Sequence, residues 1–239
     1  MAHIVLVPGA FHGRRCWSRL IPLLETAGHR VTAPELLGMG GDGTPLSEIS
    51  LSIWADQIAA VLADIDEPVV LVGHSRGGAL ISEVAERVPQ RVQLLIYLAA
   101  FILPSGKSVF DLAATGSNAA AITAAFREAG GGMLSVSVDS ADALFYNEVS
   151  EDWLVIAHES LGLEPLSALA TPIKVTSSRF GTVPRAYIEC TLDRAIPIEL
   201  QRAMLVNMPC QQVVTLACDH SPFLSDPHAL VEAIHSLQP

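Results

Sequence analysis

Pro68-Val69-Val70-Leu71-Val72-Gly73-His74-Ser75-Arg76-Gly77-Gly78 is the stretch whose reading decides the fold. Its apolar, valine-rich run reads as a strand buried on both faces. The run ends in Gly-X-Ser-X-Gly, and Ala79-Leu80-Ile81-Ser82-Glu83-Val84-Ala85-Glu86-Arg87 follows with helical character. Strand, sharp turn and helix form the context in which a serine is presented as a nucleophile. The reason is steric. The serine backbone is strained, and Gly73 and Gly77 must be nearly free of side chain for the chain to pass close by. The helix points free N–H groups and the positive end of its dipole at the same place. Ser75 is the candidate nucleophile; the bland alternative is a tight glycine turn in some other α/β sheet.

Upstream, Ile4–Val7 is a buried strand, and Cys16–Ala27 carries Trp17, Leu20, Ile21 and Leu24 at helical spacing before Gly28. Arg30–Ala33 is a short strand stopped by Pro34. Gly38-Met39-Gly40-Gly41-Asp42-Gly43 formally matches Gly-X-Gly-X-X-Gly. It stands several residues beyond its strand, and Thr44-Pro45 follows where a helix should open, so it reads as a flexible loop and not a dinucleotide site. Ser50 caps a helix through Ile65, with Ile53, Ile58, Val61, Leu62 and Ile65 on its buried face.

Downstream, Val92–Leu98 is another buried strand. Strands alternating with helices imply a parallel sheet covered on both faces. The rhythm changes across 101–175, where helix-like pieces (Asn118–Ala129, Ala141–Asn147, Glu151–Ser160) are broken by Gly130-Gly131-Gly132 and Gly162–Pro165. This reads as a helical cap, residues 101–175, inserted into a single domain whose core is 1–100 and 176–239. The rhythm resumes with Arg185–Cys190, a helix at Ile198–Asn207, the strand Gln211–Leu216 and a last helix, Pro227–Gln238.

Composition narrows the function classes. The 239 residues are 50% hydrophobic and 16% charged, enough to bury a large core. A net charge of −11 argues against nucleic acid and anionic membranes as partners. No apolar run is long enough to span a bilayer, and Met1-Ala2-His3 runs straight into Ile4 with no basic leader, so the expectation is a cytoplasmic protein. Cys16, Cys190, Cys210 and Cys218 lack CxxC spacing and read as reduced thiols, not a metal site.

A serine hydroxyl needs a base, and the base needs an orienting group. After a nucleophile elbow the order is serine, acid, histidine, the last two on loops after later strands. Asp193 follows the strand ending at Cys190, and His220 follows the strand ending at Leu216. Both lie at carboxyl ends of strands, where open sheets meet ligands. Asp219 competes for the acid role, but as the neighbour of His220 it is poorly placed to reach back to the same imidazole. His12, His74, His158 and His228 read as structural hydrogen-bonding residues; His74 faces the pocket without being the base. The oxyanion needs two donors: the Arg76 N–H and, from the glycine-bearing loop Val7-Pro8-Gly9-Ala10-Phe11-His12-Gly13, the Ala10 N–H.

That loop with Trp17, the Gly73–Gly78 elbow, Arg179-Phe180-Gly181 through Tyr187–Pro197, and Asp219-His220-Ser221-Pro222-Phe223 together resemble one branch of the α/β hydrolases. The branch holds plant methyl esterases, hydroxynitrile lyases and many small bacterial esterases. Across the cap the resemblance is weaker, with Phe145-Tyr146-Asn147 and Pro165-Leu166 as its echoes. It implies the α/β-hydrolase fold, a Ser75–His220–Asp193 triad, an Ala10/Arg76 oxyanion hole and no cofactor.

Two departures stand out. Pro8 replaces a usual histidine, and Arg76 stands where the family often has an apolar residue. The Arg76 guanidinium either attracts a substrate carboxylate or pairs with an acid of the cap, the second reading being favoured. The expected pocket draws on Phe11, His74, Leu103, Phe126, Phe145, Trp153, Leu166, Ser221 and Phe223. The expected activity is hydrolysis of a small to medium apolar or aryl ester, a small-molecule substrate. A hydroxynitrile-lyase-type activity and a slowly turning-over receptor are the alternatives. A cap-mediated homodimer is an analogy the chain does not decide.

Overall fold

The computed structural model describes residues 1–237. The first half alternates as expected: β1 (His3–Val7), α1 (Ile21–Thr26), β2 (Arg30–Thr32), α2 (Leu51–Ala63), β3 (Val69–His74), α3 (Gly77–Arg87) and β4 (Val92–Leu98). An insertion carries α4 (Val109–Ala113), α5 (Ala119–Ala125), β5 (Phe126–Gly130), β6 (Met133–Val136), α6 (Val138–Leu144), α7 (Glu151–Glu159), β7 (Glu164–Pro165) and α8 (Leu166–Ala170). The core resumes with β8 (Arg185–Cys190), α9 (Ile198–Asn207), β9 (Gln212–Leu216), α10 (Pro222–Ser225) and α11 (Pro227–Ser236); Gln238, expected in the last helix, lies outside the described residues.

The main sheet has the order β2-β1-β3-β4-β8-β9, every pair parallel. All carboxyl ends therefore lie on one edge. Val7 pairs with Gly73, His74 with Leu98, and Cys190 with Leu216. The loops bearing residues 9–13, 75–76, 99–103, 191–197 and 217–221 accordingly leave the sheet side by side. The central strands are buried throughout: Ile4–Val7 and Val69–Val72 are wholly inaccessible.

Several elements depart from the sequence reading for local reasons. The helix expected over Cys16–Ala27 is a 3₁₀ turn, Arg14–Trp17, followed by α1. Pro22, lacking an N–H, sits in the first turn of α1 and fixes its start there. The Ser50 side chain caps α2 by accepting from the Ile53 N–H. The buried face of α2, however, is Leu51, Trp54, Ala55, Ile58 and Leu62, and Ile53 is exposed.

The insertion is not purely helical. Gly130, Gly131 and Gly132 have φ of 81°, 59° and 73°, and they turn the chain so that β5 pairs antiparallel with β6. Phe126–Ala129, expected as the end of a helix, thus belongs to β5, a strand of a small β5-β6-β7 sheet. Among the described residues the four cysteines are free and no helix is long and apolar enough to cross a membrane.

Candidate active site

Ser75 lies between β3 and α3 with φ of 53°, a left-handed conformation that serine rarely adopts. Its surroundings over-determine it. The Ser75 N–H donates to the Leu98 carbonyl, and its own carbonyl accepts from the N–H groups of Gly78 and Phe101. A Cβ on Gly73 would meet the Gly77 carbonyl oxygen at 2.6 Å, so the turn closes only with glycine at 73. The result holds the Ser75 side chain at the carboxyl edge of the sheet, in the wall of an apolar cavity.

His220 and Asp193 meet at that edge. His220 Nδ1 lies 2.8 Å from Asp193 Oδ2, with both side chains nearly inaccessible. The carboxylate is fixed from three further sides. Its Oδ1 accepts the N–H groups of Ala195 and Ile196 at 2.7 and 2.8 Å, and Oδ2 also accepts from the Gln201 amide at 3.3 Å. An acceptor there requires Nδ1 to carry the proton, which leaves Nε2 as the basic nitrogen. His220 lines the same cavity as Ser75.

Asp219 does something else. Its Oδ1 accepts from the Ser221 N–H and the Ser225 hydroxyl, and its Oδ2 from the Glu148 N–H of the insertion. Burial raises this carboxyl above the usual range. Asp219 shapes the His220 loop and ties it to the insertion.

Ala10 and Arg76 line the cavity beside Ser75. The loop carrying Ala10 is tightly held. His12 Nδ1 is 2.6 Å from the Ala10 carbonyl, which can only accept, so Nδ1 is protonated and Nε2 accepts from the Tyr146 hydroxyl. Burial pushes the His12 imidazole down to about 4, keeping it neutral. His74 Nε2 donates to the His220 carbonyl at 2.8 Å, while its buried Nδ1 has no partner among the described residues. His158 pairs with Asp142 at 2.6 Å; His228, expected to make a structural hydrogen bond, is exposed on α11.

The cavity is lined by much of the expected set and by residues the sequence did not single out. His74, Phe126 and Phe145 are in its wall. Phe11 is one layer back, edge-on to Phe126 and stacked on Phe145. Phe223 packs against His74 and Trp17 in the core. Leu103 and Ser221 are wholly buried and outside the wall, Leu166 is 40% exposed, and Trp153 lies under the Arg19 guanidinium. These corrections share one cause: which face of a loop or helix meets the cavity depends on contacts distant in sequence.

The wall instead takes Phe101 directly after β4, Val109, Phe110 and Ala113 of α4, Ile122 of α5, and Ala195-Ile196 beside Asp193. Only the last pair could have been found from position alone. The cavity that holds Ser75 has a volume of about 40 Å³. A second apolar cavity of about 340 Å³ shares Phe110, Ala113, Ile122 and Phe126 with it.

Arg76 pairs with an acid of the insertion, Glu164, at 2.9 Å. Burial raises the Glu164 carboxyl despite the opposing charge of Arg76. Nothing in the sequence singled out Glu164. The glycine-rich loop near Gly38 is closed on itself, Asp42 accepting from the N–H groups of Gly38 and Thr44. Among the described residues no cluster could hold a metal.

Residues 4–233 match the family described as "Alpha/beta hydrolase family". Methylesterase 1 of Arabidopsis thaliana is 34% identical over 246 residues, covering 95% of this chain and 92% of that protein. The pyrethroid hydrolase of Sphingobium wenxiniae is 32% identical over 240 residues, covering 97% and 85%. Among solved structures, polyneuridine aldehyde esterase superposes with a TM-score of 0.88 at 26% identity, covering 99% of each chain.

Proposed function

The chain belongs to the alpha/beta hydrolase family, and we propose that it is a cofactor-independent serine carboxylesterase acting on neutral apolar or aryl esters. The observation that carries this reading is the 2.8 Å contact of His220 Nδ1 with Asp193, on an imidazole that shares a cavity with the strained Ser75. In the proposed reaction His220 Nε2 takes the hydroxyl proton as Ser75 Oγ attacks the ester carbonyl. The N–H groups of Ala10 and Arg76 receive the oxyanion. Protonated His220, stabilised by Asp193, gives the proton to the departing alcohol. Water then attacks the acyl-enzyme by the same route, and Ser75 is regenerated.

Three features support the substrate class. The wall around Ser75 is largely apolar, and its one guanidinium is neutralised by Glu164. Among the described residues no charged side chain lines the second cavity. The cavity that holds Ser75, about 40 Å³ where one water needs roughly 10–15 Å³, suits an ester group with a small substituent. The larger apolar arm then lies beyond Ile122 and Phe126. The names of the relatives, two esterases and a hydrolase, agree with hydrolysis of carboxylic esters.

Cyanohydrin cleavage is the weaker reading. The resemblance implies a lysine after the catalytic histidine in the lyases, to stabilise departing cyanide; here Ser221 stands there, uncharged and outside the cavity wall. Those lyases also hold the substrate oxygen with a hydroxyl at the position of Gly9. A Cβ at Gly9 would lie 2.7 Å from His74 Nδ1, so no such side chain fits beside this elbow. Steady-state turnover on a panel of p-nitrophenyl and methyl esters, with products identified, tests the proposal. Ester hydrolysis is expected, with cyanide release from mandelonitrile at the uncatalysed rate. Ser75-dependent cyanide release without esterase activity would overturn it, and saturable ester binding without turnover would favour a receptor.

A further inference from the structure

Three hydrogen bonds from distant elements converge on the backbone of Gly9 and Phe11, and a fourth joins the two side chains that make two of them. Arg76 donates through Nε to Glu164 Oε1 at 2.9 Å and through Nη2 to the Gly9 carbonyl at 3.0 Å. The other Glu164 oxygen accepts the Phe11 N–H at 3.0 Å. The Phe11 carbonyl accepts from the Gly162 N–H at 2.7 Å. Both charged side chains are buried, at 1% and 0% exposure, and the guanidinium lies 4.5 Å over the Trp54 ring of α2. The loop so held is not relaxed. Phe11 has φ of 66°, which a side-chain-bearing residue keeps only when its surroundings enforce it.

The peptide between the two clamped points is that of Ala10. We propose that the Arg76–Glu164 pair is a positioning device for the oxyanion hole. It forces residues 9–11 into the strained shape that aims the Ala10 N–H at the developing oxygen. The inference rests on the esterase reading of Ser75. The pair acts from both sides of the hole, because Arg76 is also the residue whose own N–H completes it. A merely structural ion pair would need neither the Gly9 carbonyl nor the Phe11 N–H. Substrate-carboxylate recognition by Arg76 is disfavoured, because the Glu164 carboxylate already occupies the guanidinium, of whose nitrogens only Nη1 has no hydrogen bond among the described residues.

Removing one partner would strand a buried charge, so the decisive variant is the double replacement Arg76→Met/Glu164→Gln, which keeps volume and leaves no charge. Its kcat and KM are measured on p-nitrophenyl butyrate and on mono-p-nitrophenyl glutarate, which bears a carboxylate. Amide hydrogen exchange is followed in parallel over the peptide 8–17. The expected result is a folded protein whose kcat falls about 10–100-fold on both esters with KM nearly unchanged, a fraction of the loss on deleting an oxyanion donor. Exchange at residues 10–12 should accelerate. Arg76→Lys, which offers one ammonium to two acceptors, should recover only part of the rate.

An unchanged kcat in the folded double variant would overturn the inference. So would a loss confined to KM for the glutarate ester, which would make Arg76 a substrate-binding residue. If the wild-type protein hydrolyses neither ester, the esterase reading fails, and the exchange data alone decide whether the pair holds the loop.

Discussion

Two aspartates near one imidazole illustrate what position in the chain can and cannot reveal. Asp193 was singled out because it follows a strand where the proposed triad needs an acid, and the structure sets it 2.8 Å from His220 Nδ1. Asp219 was weighed against it on adjacency alone, and its oxygens are taken by Ser221, Ser225 and Glu148. Asp193→Asn is expected to lower kcat by about 10⁴, because the amide favours the wrong tautomer of the imidazole. Asp219→Asn should change kcat less than about 10-fold while costing about 1–3 kcal/mol of stability through its buried hydrogen bonds. Steady-state kinetics and denaturant melts of both variants check the ranking. Glu164 was illegible because its partners, Arg76 and Phe11, are 88 and 153 positions away. His12 supplies a pH signature. Its imidazole sits at about 4 when folded against 6.5 in the open chain, so the unfolded state takes up the extra proton. Its contribution is intact above pH 6.5 and is lost as pH falls towards 4, by about 3 kcal/mol. Asp219 and Glu164, both raised by burial, titrate in the opposite sense, so the His12 share is read as the difference between wild type and His12→Asn. Equal loss of stability in both proteins between pH 7 and 4 would contradict it.

At the scale of elements, the β3–elbow–α3 unit was readable because its constraints are local: an apolar run, a serine and two glycines within a few residues. Gly73→Ala tests that reading directly. With the Gly77 carbonyl 2.6 Å from the new methyl, the elbow must open, costing about 1–3 kcal/mol and most of the esterase activity. Activity and melting temperature near wild type would show that the elbow is not closed there. The face of α2 was misread because Ile53 and Trp54 are adjacent and equally apolar on paper. Trp54 wins the interior because its indole N–H donates to the Leu37 carbonyl at 2.9 Å and its ring takes the Arg76 guanidinium. The insertion was the least legible part. Its alanine-rich α5 runs into Phe126-Arg127-Glu128 with no break in helical propensity, and only the pairing of β5 with β6 makes a strand of it. That hairpin brings Phe126 to the cavity and, through β7, Glu164 to Arg76.

For the molecule as a whole, the alternation of strands and helices was enough to specify a parallel sheet, and the order β2-β1-β3-β4-β8-β9 sets every candidate catalytic loop on one edge. The insertion closes over that edge through Glu148 on Asp219, Asn147 on the Leu192 carbonyl and Glu164 on Arg76, so it is joined to the loops of the acid, the base and the nucleophile alike. Pocket shape depends on those joints, which explains why the sequence picked out the residues of the proposed triad but only part of the wall. The central claim is that this arrangement activates one serine. Ordinary serines do not react with fluorophosphonates, whereas a serine with a base and an oxyanion hole does. The most direct measurement is therefore intact-mass and peptide-mapping analysis of the protein after treatment with an alkyl fluorophosphonate. The account requires a single adduct on the peptide bearing Ser75, absent from Ser75→Ala and formed orders of magnitude more slowly in a His220→Ala variant. No adduct, or one on another residue, would contradict it.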